Sequence, residues 1–409
     1  MSRDGSKTIK IIHTGDFHIG ATYGRLRGRK IEEIRREDIK KNVSKIVDDA
    51  IREKVDIFLI SGDIFHFSTP KGLDFVFFSE QVGRLARNGI ITIAIAGNHD
   101  KPKVRTVENH LKGLVRANAP NFYYVQEIPR GPIIIELKDK DMKVGIVPIP
   151  YIDPRIVREV GDKYFNFIRR NIGDLLDKKN FVNMDFKVLM AHVIMSGARV
   201  KDIPGLYLND PKVGREDLCA REFDYVALGH IHQAQKVDRN IYYSGSVERL
   251  SFAEVDEDKY YVMVEYDGKS GAIDISLREL ETRPMRILEV KEIKTVIDPL
   301  SDIKEVLRNK GIEDGSVIRL KISGESAAIS TLKKRLHLLE RYLIDELGVA
   351  GYDVQFSTKA IISDIKKKHR DLRQGFSAII QEYIKNLNID EEIKSRAIKH
   401  AIEILKEVE

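Results

Sequence analysis

The sequence predicts a layered α/β domain, followed by a smaller α/β unit and a C-terminal helical segment. Five apolar or β-branched runs of strand length, without polar alternation, are interleaved with helical patterns, as expected for parallel strands covered by helices. Each run ends at a turn that carries Asp, Asn or His. Because the carboxyl ends of parallel strands meet at one edge of a sheet, these polar side chains are expected to converge.

The elements of the first domain follow one another in a regular order. The five strand runs are Thr8–His13, Val55–Ile60, Ile90–Ala96, Phe186–Ala191 and Tyr225–Leu228, and the helical patterns are Ile31–Glu53, Leu73–Asn88, Val104–Ala117 and Pro154–Lys178. After Gly229 the pattern changes to short runs in which apolar and polar residues alternate. These runs predict antiparallel strands that complete a second sheet. These runs are Ile241–Ser244, Lys259–Tyr266 and Ile273–Leu280. We therefore expect the first domain to span residues 1–280.

A smaller α/β unit is expected over residues 281–360. Its strand runs are Ile287–Ile293, Ser316–Ser323 and Tyr352–Phe356, and its helical patterns are Leu300–Lys310 and Ala328–Leu347. It has no cluster of His and Asp, so it is either a cap that shapes access to the first domain or an independent packing module. Residues 361–409 predict two amphipathic helices, with apolar stripes over 376–387 and 393–405 and with Asn388 and Asp390 as N-caps. This pair either docks a partner protein or packs as a plain terminal element.

The composition excludes some classes of protein and some kinds of metal site. With 409 residues and 42% apolar side chains, the chain can bury a substantial core, which excludes a disordered protein. No run approaches the ~18 apolar residues of a membrane span, and the polar start Met1–Lys7 is unlike a signal peptide, so we expect a cytoplasmic protein. Cys219 is the only cysteine, so a metal must bind through His, Asp, Glu or Asn. The net charge of +6 is compatible with a polyanionic partner.

Six histidines fall in five polar blocks that directly follow the strand runs. The blocks are Asp16-Phe17-His18, Gly62-Asp63-Ile64-Phe65-His66, Gly97-Asn98-His99-Asp100, Ala191-His192 and Gly229-His230-Ile231-His232. Imidazole, carboxylate and amide oxygen together suit a pair of divalent transition ions. Ions in such centres lie roughly 3.5–4 Å apart and activate water for in-line attack on phosphorus. The pattern therefore predicts a two-metal hydrolytic centre.

The residues suggest a division of roles within this centre. Asp63 is the best bridging ligand, because a carboxylate can contact two ions and Gly62 permits a tight turn before it. Asp16, His18 and one of the two final histidines would complete one ion, and Asn98, His192 and the other final histidine would complete the second. His99 is placed to protonate or stabilise the leaving oxygen, and Asp100 to orient the His99 ring.

In this order, the blocks resemble the calcineurin-like metallophosphoesterase superfamily, whose members share a two-sheet α/β sandwich. Within it the chain is similar to the double-strand-break repair nucleases of the meiotic-recombination-eleven and SbcD type. The features that narrow the match are the additional His66, the block Gly229–Gln233 and the segment Tyr243–Phe252. The resemblance is strong over residues 8–255. Over the cap only the architecture is similar, and over the tail only the position of the segment in the chain.

The resemblance implies a complete set of site residues. One ion would be held by Asp16, His18, Asp63 and His232, and the other by Asp63, Asn98, His192 and His230. His99 and His66 would take the catalytic roles, with His99 near the scissile phosphate; the alternative for His66 is a supporting or surface residue. The cofactor implied is Mn²⁺, two ions per chain, which suits mixed oxygen and nitrogen ligands.

A DNA substrate requires basic groups beside the metal edge. The loop after the first ligand block provides Tyr23, Arg25, Arg27, Arg29 and Lys30. These residues either contact the DNA backbone or form a solvent-exposed segment that leads into the helix at Ile31. A weaker second candidate is Lys101, Lys103 and Arg105. No sequence-reading module is visible, so the sequence favours recognition of DNA ends or structure.

The resemblance also implies an activity and partners. The activity is a Mn²⁺-dependent DNA endo/exonuclease that processes single- and double-stranded DNA ends in double-strand-break repair, in a chromosome-associated complex. The partners are an SMC-like coiled-coil ATPase, docked by the C-terminal helices, and a second copy of the chain, joined through Leu73–Asn88 and Val104–Ala117. The chain has no Walker A segment, so ATP use would come from the partner. The alternatives are a general phosphoesterase on small phosphodiesters or phosphoproteins and a non-catalytic DNA-end-binding scaffold.

Overall fold

The computed structural model describes residues 7–22, 26–101, 109–159, 161–178, 181–201, 210–293, 297–358, 384–385 and 390–408. The chain forms two compact units, divided in sequence between Met285 and Arg286. In the parts of the chain described here, no helix is long and apolar enough to cross a membrane.

The first unit contains a six-stranded sheet whose order is β14-β13-β1-β2-β3-β4. Its strands are β1 (Thr8–Thr14), β2 (Ile57–Ile60), β3 (Ile91–Ile95), β4 (Phe122–Val125), β13 (Lys259–Asp267) and β14 (Ala272–Leu280). Strands β1 to β4 are parallel, and β13 and β14 extend the sheet in antiparallel fashion from β1. Helices α1 (Ile31–Arg52), α2 (Gly72–Arg87) and α3 (Leu111–Arg116) connect the parallel strands.

A second six-stranded sheet has the order β11-β12-β10-β7-β6-β5. Its strands are β5 (Ile133–Leu137), β6 (Met142–Ile149), β7 (Phe186–His192), β10 (Tyr225–Gly229), β11 (Gln235–Asp238) and β12 (Ile241–Tyr243). The four central strands are parallel, and the two edge strands are antiparallel to their neighbours. Helices α4 (Pro154–Glu159) and α5 (Tyr164–Leu176) precede β7, and β8 (Ile194–Met195) pairs with β9 (Lys212–Val213) as a separate two-stranded sheet.

The two sheets pack face to face between helices, because their strands are apolar on both faces. One buried cluster joins residues of both sheets, such as Ile11 and Leu59 from the first and Ile146 and Val188 from the second. Two further clusters lie between each sheet and its helices: Ile39 of α1 belongs to the first, and the second contains the apolar side of α5. The predicted two-sheet α/β sandwich is thereby confirmed.

Two expectations about individual elements need correction, and a third element is described only in part. Strands β13 and β14 belong to the first sheet and not the second, because β13 pairs with the free edge of β1. The predicted helix Pro154–Lys178 is broken into α4 and α5 at Gly161, whose φ of +74° is not helical. Of the predicted helix Val104–Ala117, the structure shows Leu111–Arg116, and residues 102–108 lie outside the described part of the chain.

The second unit is a small α/β structure with its own core. A three-stranded sheet has the order β15-β16-β17, formed by Met285–Ile293, Val317–Gly324 and Gly351–Thr358, with the last two strands parallel. Helices α6 (Pro299–Arg308), α7 (Ser326–Lys334) and α8 (Leu336–Arg341) bury residues such as Ile303 and Leu332 against it.

Helix α9 (Glu391–Val408) lies near the C-terminus. It begins where predicted: the side chain of Asp390 accepts a hydrogen bond of 2.9 Å from the backbone N–H of Glu392. Asn388 and the predicted stripe over 376–387 lie outside the described residues, apart from positions 384 and 385.

Candidate active site

The polar blocks meet at one edge of the sandwich because the strands before them are parallel within each sheet. β1, β2 and β3 deliver Asp16, Asp63 and Asn98, while β7 and β10 of the other sheet deliver His192 and His230. All seven predicted metal ligands and both predicted catalytic histidines lie in this one region.

Several of the donor residues have a left-handed backbone. The φ angle is +49° at Asp16, +47° at His18, +51° at Asp63 and +95° at His230. Non-glycine residues in this region cost about 1–3 kcal/mol each and persist only where surrounding structure holds them. The blocks are held by backbone hydrogen bonds, for example from Asp16 N–H to the Gly62 carbonyl and from His18 N–H to the Asp63 carbonyl, both 2.9 Å long.

Asp63 lies between two groups of donors. Its Oδ2 atom is 3.6 Å from Nε2 of His18 and 3.5 Å from Nε2 of His192. Its Oδ1 atom accepts the backbone N–H of His99 at 2.9 Å. The block at Gly97 approaches this carboxylate so closely that a Cβ there would lie 2.0 Å from Oδ1. This arrangement is the one expected of a carboxylate shared by two ions.

The first donor group consists of Asp16, His18, Asp63 and His232. Ligand atoms of Asp16, His18 and Asp63 lie within 4.8 Å of one another. Nε2 of His18 is 3.1 Å from Nε2 of His232, so the two ring nitrogens face the same point. All four side chains are buried, so their donor atoms are shielded from solvent.

The second donor group consists of Asp63, Asn98, His192 and His230. Oδ1 of Asn98 is 3.1 Å from Nε2 of His192 and 3.0 Å from Nδ1 of His230. The same two ring nitrogens are 3.1 Å apart. The backbone N–H of His230 also donates to both carboxylate oxygens of Asp16, at 3.1 and 3.0 Å, which ties the two groups together.

Hydrogen bonds on the outer side of the rings fix which nitrogen faces the centre. Nδ1 of His192 lies 2.7 Å from the Ser61 carbonyl, which can only accept, so Nδ1 carries a proton and Nε2 is the nitrogen that faces the centre. Nε2 of His230 similarly lies 2.8 Å from Oδ2 of Asp210, which leaves Nδ1 for the centre. Such outer partners orient metal-binding histidines in proteins.

His232 is held from behind by a buried ionic cluster. Its Nδ1 atom is 3.3 Å from Oε1 of Glu254, whose Oε2 is 2.6 Å from Nζ of Lys259. Lys259 is fully buried and also contacts Glu257 at 3.0 Å and the His232 carbonyl at 3.1 Å. Burial disfavours the charged form of Glu254, but Lys259 and His232 together hold the pKa of this carboxyl well below its ordinary value.

Sequence reasoning missed Glu254, Lys259 and Asp210. A charged residue within the apolar run Phe252-Ala253-Glu254-Val255 was an available signal for the first. Asp210 has no comparable local signal, because its relation to His230 arises only from the fold.

The charges at the centre are strongly coupled. Burial raises the pKa of Asp16 to about 6, with Asp63 adding to the effect. Burial acts in the same direction on Asp63, but His192, His18 and His99 together outweigh it and hold the pKa of Asp63 well below its ordinary value. Burial lowers the pKa of His192, but Asp63, Asp16 and the Ser61 carbonyl together outweigh burial and raise this pKa to about 9. A cation that binds His192 must therefore displace a proton.

His99 and His66 stand beside the first donor group. Their rings are stacked with centroids 5.1 Å apart, and the His18 ring is 4.6 Å from that of His99. Nδ1 of His99 is 2.8 Å from the His66 carbonyl, so it carries a proton and leaves Nε2 for exchange with a substrate. Nδ1 of His66 is 3.3 Å from Nδ1 of His18, and burial, with His99, lowers the pKa of His66 to about 4.

Asp100 does not orient the His99 ring, contrary to expectation. Its carboxylate accepts the backbone N–H groups of Gly97, Ile64 and Phe65 at 2.9, 3.2 and 3.1 Å. It therefore joins the second and third ligand blocks, while the His66 carbonyl positions His99.

The predicted DNA-binding groups are only partly described. Arg27, Arg29 and Lys30 are exposed, and Lys30 lies 3.8 Å from Glu33. Tyr23, Arg25, Lys103 and Arg105 lie outside the described residues. Lys101 is not a free surface cation, because its ammonium donates to the Tyr151 carbonyl.

The donor set fits divalent metal ions. Imidazole nitrogens and carboxylate oxygens converge in both groups, and the second group adds the amide oxygen of Asn98. Mixed N and O donors of this kind suit ions such as Mn²⁺, Fe²⁺ or Zn²⁺. The geometry can therefore support metal-assisted hydrolysis.

Comparison with known proteins also indicates a phosphoesterase. Residues 9–234 match the family model described as calcineurin-like phosphoesterase. Over 303 residues, covering 69% of this chain and 71% of the relative, the chain is 24% identical to the SbcD component of the nuclease SbcCD of Escherichia coli K12.

Two further relatives extend the match. The SbcD component of the same nuclease in Staphylococcus epidermidis is 24% identical over 97% of this chain and 99% of its own length. The DNA double-strand break repair protein Mre11 of Haloferax volcanii is 26% identical over 78% of this chain and 63% of its own length. The match of the family model to more than half of the chain, together with the converging donor groups, shows that this chain belongs to the calcineurin-like phosphoesterase family.

Proposed function

We propose that the protein is a Mn²⁺-dependent DNA endo/exonuclease that processes DNA ends in double-strand-break repair. The observation that carries the proposal is the pair of donor groups that share Asp63. Membership of the phosphoesterase family and similarity to SbcD and Mre11 nucleases support a phosphodiester substrate in DNA.

Two metal ions would be held by the side chains of the donor groups. One ion is assigned to Asp16, His18, Asp63 and His232, and the other to Asp63, Asn98, His192 and His230. When bound, such ions neutralise phosphate charge and supply a nucleophilic hydroxide at neutral pH. Mn²⁺ is proposed because it suits mixed oxygen and nitrogen donors.

The protein's own contribution is positioning and proton transfer. His99 is the proposed general acid: Nδ1 is fixed on the His66 carbonyl, so Nε2 can exchange a proton with the departing oxygen. His66 is proposed to place the phosphate, because its ring stacks on His99 at the half-buried rim of the centre. The exposed cations Arg27, Arg29 and Lys30 are proposed to contact the DNA backbone, together with Tyr23 and Arg25.

The proposed assembly has two partners. A homodimer is supported by exposed apolar side chains on α2 and α3. Docking of an SMC-like ATPase is proposed for residues 361–409, and the domain over 281–360 is proposed as a cap on the nuclease domain of residues 1–280. Deletion of residues 375–409 should leave nuclease activity intact and weaken capture of the ATPase; full capture by the shortened chain contradicts the docking.

The test of the nuclease is direct. Purified protein is incubated with linear single- and double-stranded DNA, with Mn²⁺, Mg²⁺ or EDTA, and with bis(p-nitrophenyl) phosphate as a small diester. We expect Mn²⁺-stimulated DNA cleavage that EDTA abolishes. Hydrolysis of the small diester without cleavage of any DNA would contradict the proposed substrate and favour a general phosphoesterase.

A further inference from the structure

A large cavity adjoins the second donor group. It has a volume of about 800 Å³, and its walls include Tyr151, Arg158, Lys163, Phe165 and Asp210. The cavity belongs entirely to the first unit, where β6 ends and helices α4 and α5 follow. None of these residues belongs to the donor groups or to the proposed basic loop.

Tyr151 lies between the cavity and the second donor group. The Tyr151 ring lies 5.9 Å from that of His230 and 6.1 Å from that of His192, measured between centroids. Its hydroxyl donates to Oδ1 of Asp210 at 3.3 Å, and Oδ2 of the same carboxylate holds His230. A group in the cavity would therefore lie one side chain away from the reacting phosphate.

The charges on the cavity wall favour an anion. Asp153 pairs with Arg155 at 2.6 Å and Asp162 with Arg170 at 2.9 Å. Asp210 is hydrogen-bonded to the neutral His230 ring and to the Tyr151 hydroxyl, so it keeps its negative charge. Two further exposed cations face this one carboxylate, so positive charge predominates on the wall.

Arg158 and Lys163 are these cations, and neither pairs with a carboxylate among the residues that the structure describes. They are available to a phosphate group. An aromatic surface lies beside them: Phe165 is 39% exposed, and Nζ of Lys163 lies 5.9 Å from its ring centre.

An exposed aromatic ring flanked by unpaired cations is the combination that binds single-stranded nucleic acid. We propose that this cavity holds one unpaired nucleotide of the DNA strand, next to the scissile phosphate. Its base stacks on Phe165 and its flanking phosphate pairs with Arg158 and Lys163. The proposal rests on the proposed nuclease function. A paired base carries its complementary strand and cannot enter a cavity of this size, so the strand must be locally unpaired.

Binding can be measured without cleavage. A short single-stranded phosphorothioate oligonucleotide with 2-aminopurine reports stacking as a loss of fluorescence. We expect quenching with wild-type protein and with Phe165→Tyr, which keeps the aromatic face, and about tenfold weaker binding without quenching for Phe165→Ala. Arg158→Ala should also weaken binding, whereas Arg169→Ala removes an exposed cation of α5 outside the cavity wall and should not.

Cleavage gives a second readout. The ratio of oligonucleotide cleavage to hydrolysis of bis(p-nitrophenyl) phosphate should fall about tenfold in Phe165→Ala and recover in Phe165→Tyr. Equal quenching by wild type and Phe165→Ala, or no quenching by wild type, overturns the cavity assignment and leaves the nuclease proposal standing. Failure of wild type to cleave any DNA contradicts the nuclease instead, and the binding measurement still decides the cavity.

Discussion

Lys259 and Glu254 form a fully buried ion pair, with Nζ 2.6 Å from Oε2, and the other oxygen of this carboxylate faces the ring of His232. The pair fixes a ring whose inner nitrogen belongs to the first donor group. It therefore connects the beginning of β13 to the first donor group without contacting the proposed ions.

Glu254→Gln is expected to weaken Mn²⁺ binding about 10- to 100-fold. The neutral amide of Gln is a weaker hydrogen-bond acceptor than the Glu254 carboxylate, so it orients the His232 ring less firmly. Isothermal titration calorimetry measures the affinity. Glu257→Gln is the matched control: Glu257 contacts Lys259 but not His232, so its affinity for Mn²⁺ should be nearly that of wild type. Equal losses in both variants would assign the effect to the stability of the cluster and not to the orientation of His232.

Gly97→Ala is expected to reduce DNA cleavage by about 100-fold, because its Cβ would displace Asp63 from between the donor groups. The control is Gly113→Ala in helix α3, where an added Cβ meets nothing within 4 Å. Nuclease rates and Mn²⁺ titrations are compared for both. Normal cleavage by the Gly97 variant would show that activity does not depend on the position of the Asp63 carboxylate.

His99→Ala is expected to keep Mn²⁺ binding and DNA binding but to lose cleavage by about 10²–10⁴-fold, the usual contribution of a general acid. His110→Ala, which removes an exposed histidine of the same unit, should cleave as wild type does. Single-turnover cleavage and a gel-shift assay separate chemistry from binding. Unchanged cleavage by His99→Ala would remove this residue from the mechanism.

His13 makes the first unit sensitive to acid. Its ring is fully buried in β1, where burial lowers its pKa from 6.5 to about 3. Below pH 6.5 the unfolded chain binds a proton that the folded chain does not, so the free energy of unfolding falls by about 1.4 kcal/mol per pH unit until the folded pKa is approached.

Urea unfolding at pH 7, 6 and 5 measures this slope. His13→Gln should lack the contribution, although it is less stable at pH 7 because it loses the contact with the Tyr225 hydroxyl. The exposed His110→Gln is the control. Parallel pH curves for wild type and His13→Gln would contradict the assignment.

The proposed homodimer is tested at α2. Leu73 and Val76, one turn apart, are 79% and 50% exposed, and Val115 of α3 is 40% exposed. Leu73→Glu should convert a dimer to a monomer in light-scattering measurements, whereas Leu277→Glu, at an exposed position of β14, should not. A monomeric wild type, or a dimeric Leu73→Glu, would contradict this interface.

The sequence predicted that the proposed donor residues would come together, because each block follows an apolar strand and parallel strands place such positions at one edge of a sheet. What it did not predict depends on contacts distant in sequence. The position of β13 beside β1, the role of Asp210 behind His230 and the contact of His99 with the His66 carbonyl have no local pattern. The break at Gly161 was visible as a glycine, but only its backbone angle shows that the helix ends there.

Both sheets and loops separated by more than 200 positions contribute donors, as in the approach of His18 to His232 across 214 residues. A nascent or partly unfolded chain therefore has no catalytic apparatus at all. For the proposed DNA nuclease this is a safeguard, because the donor groups come together only in the folded first unit and separate when either sheet unfolds.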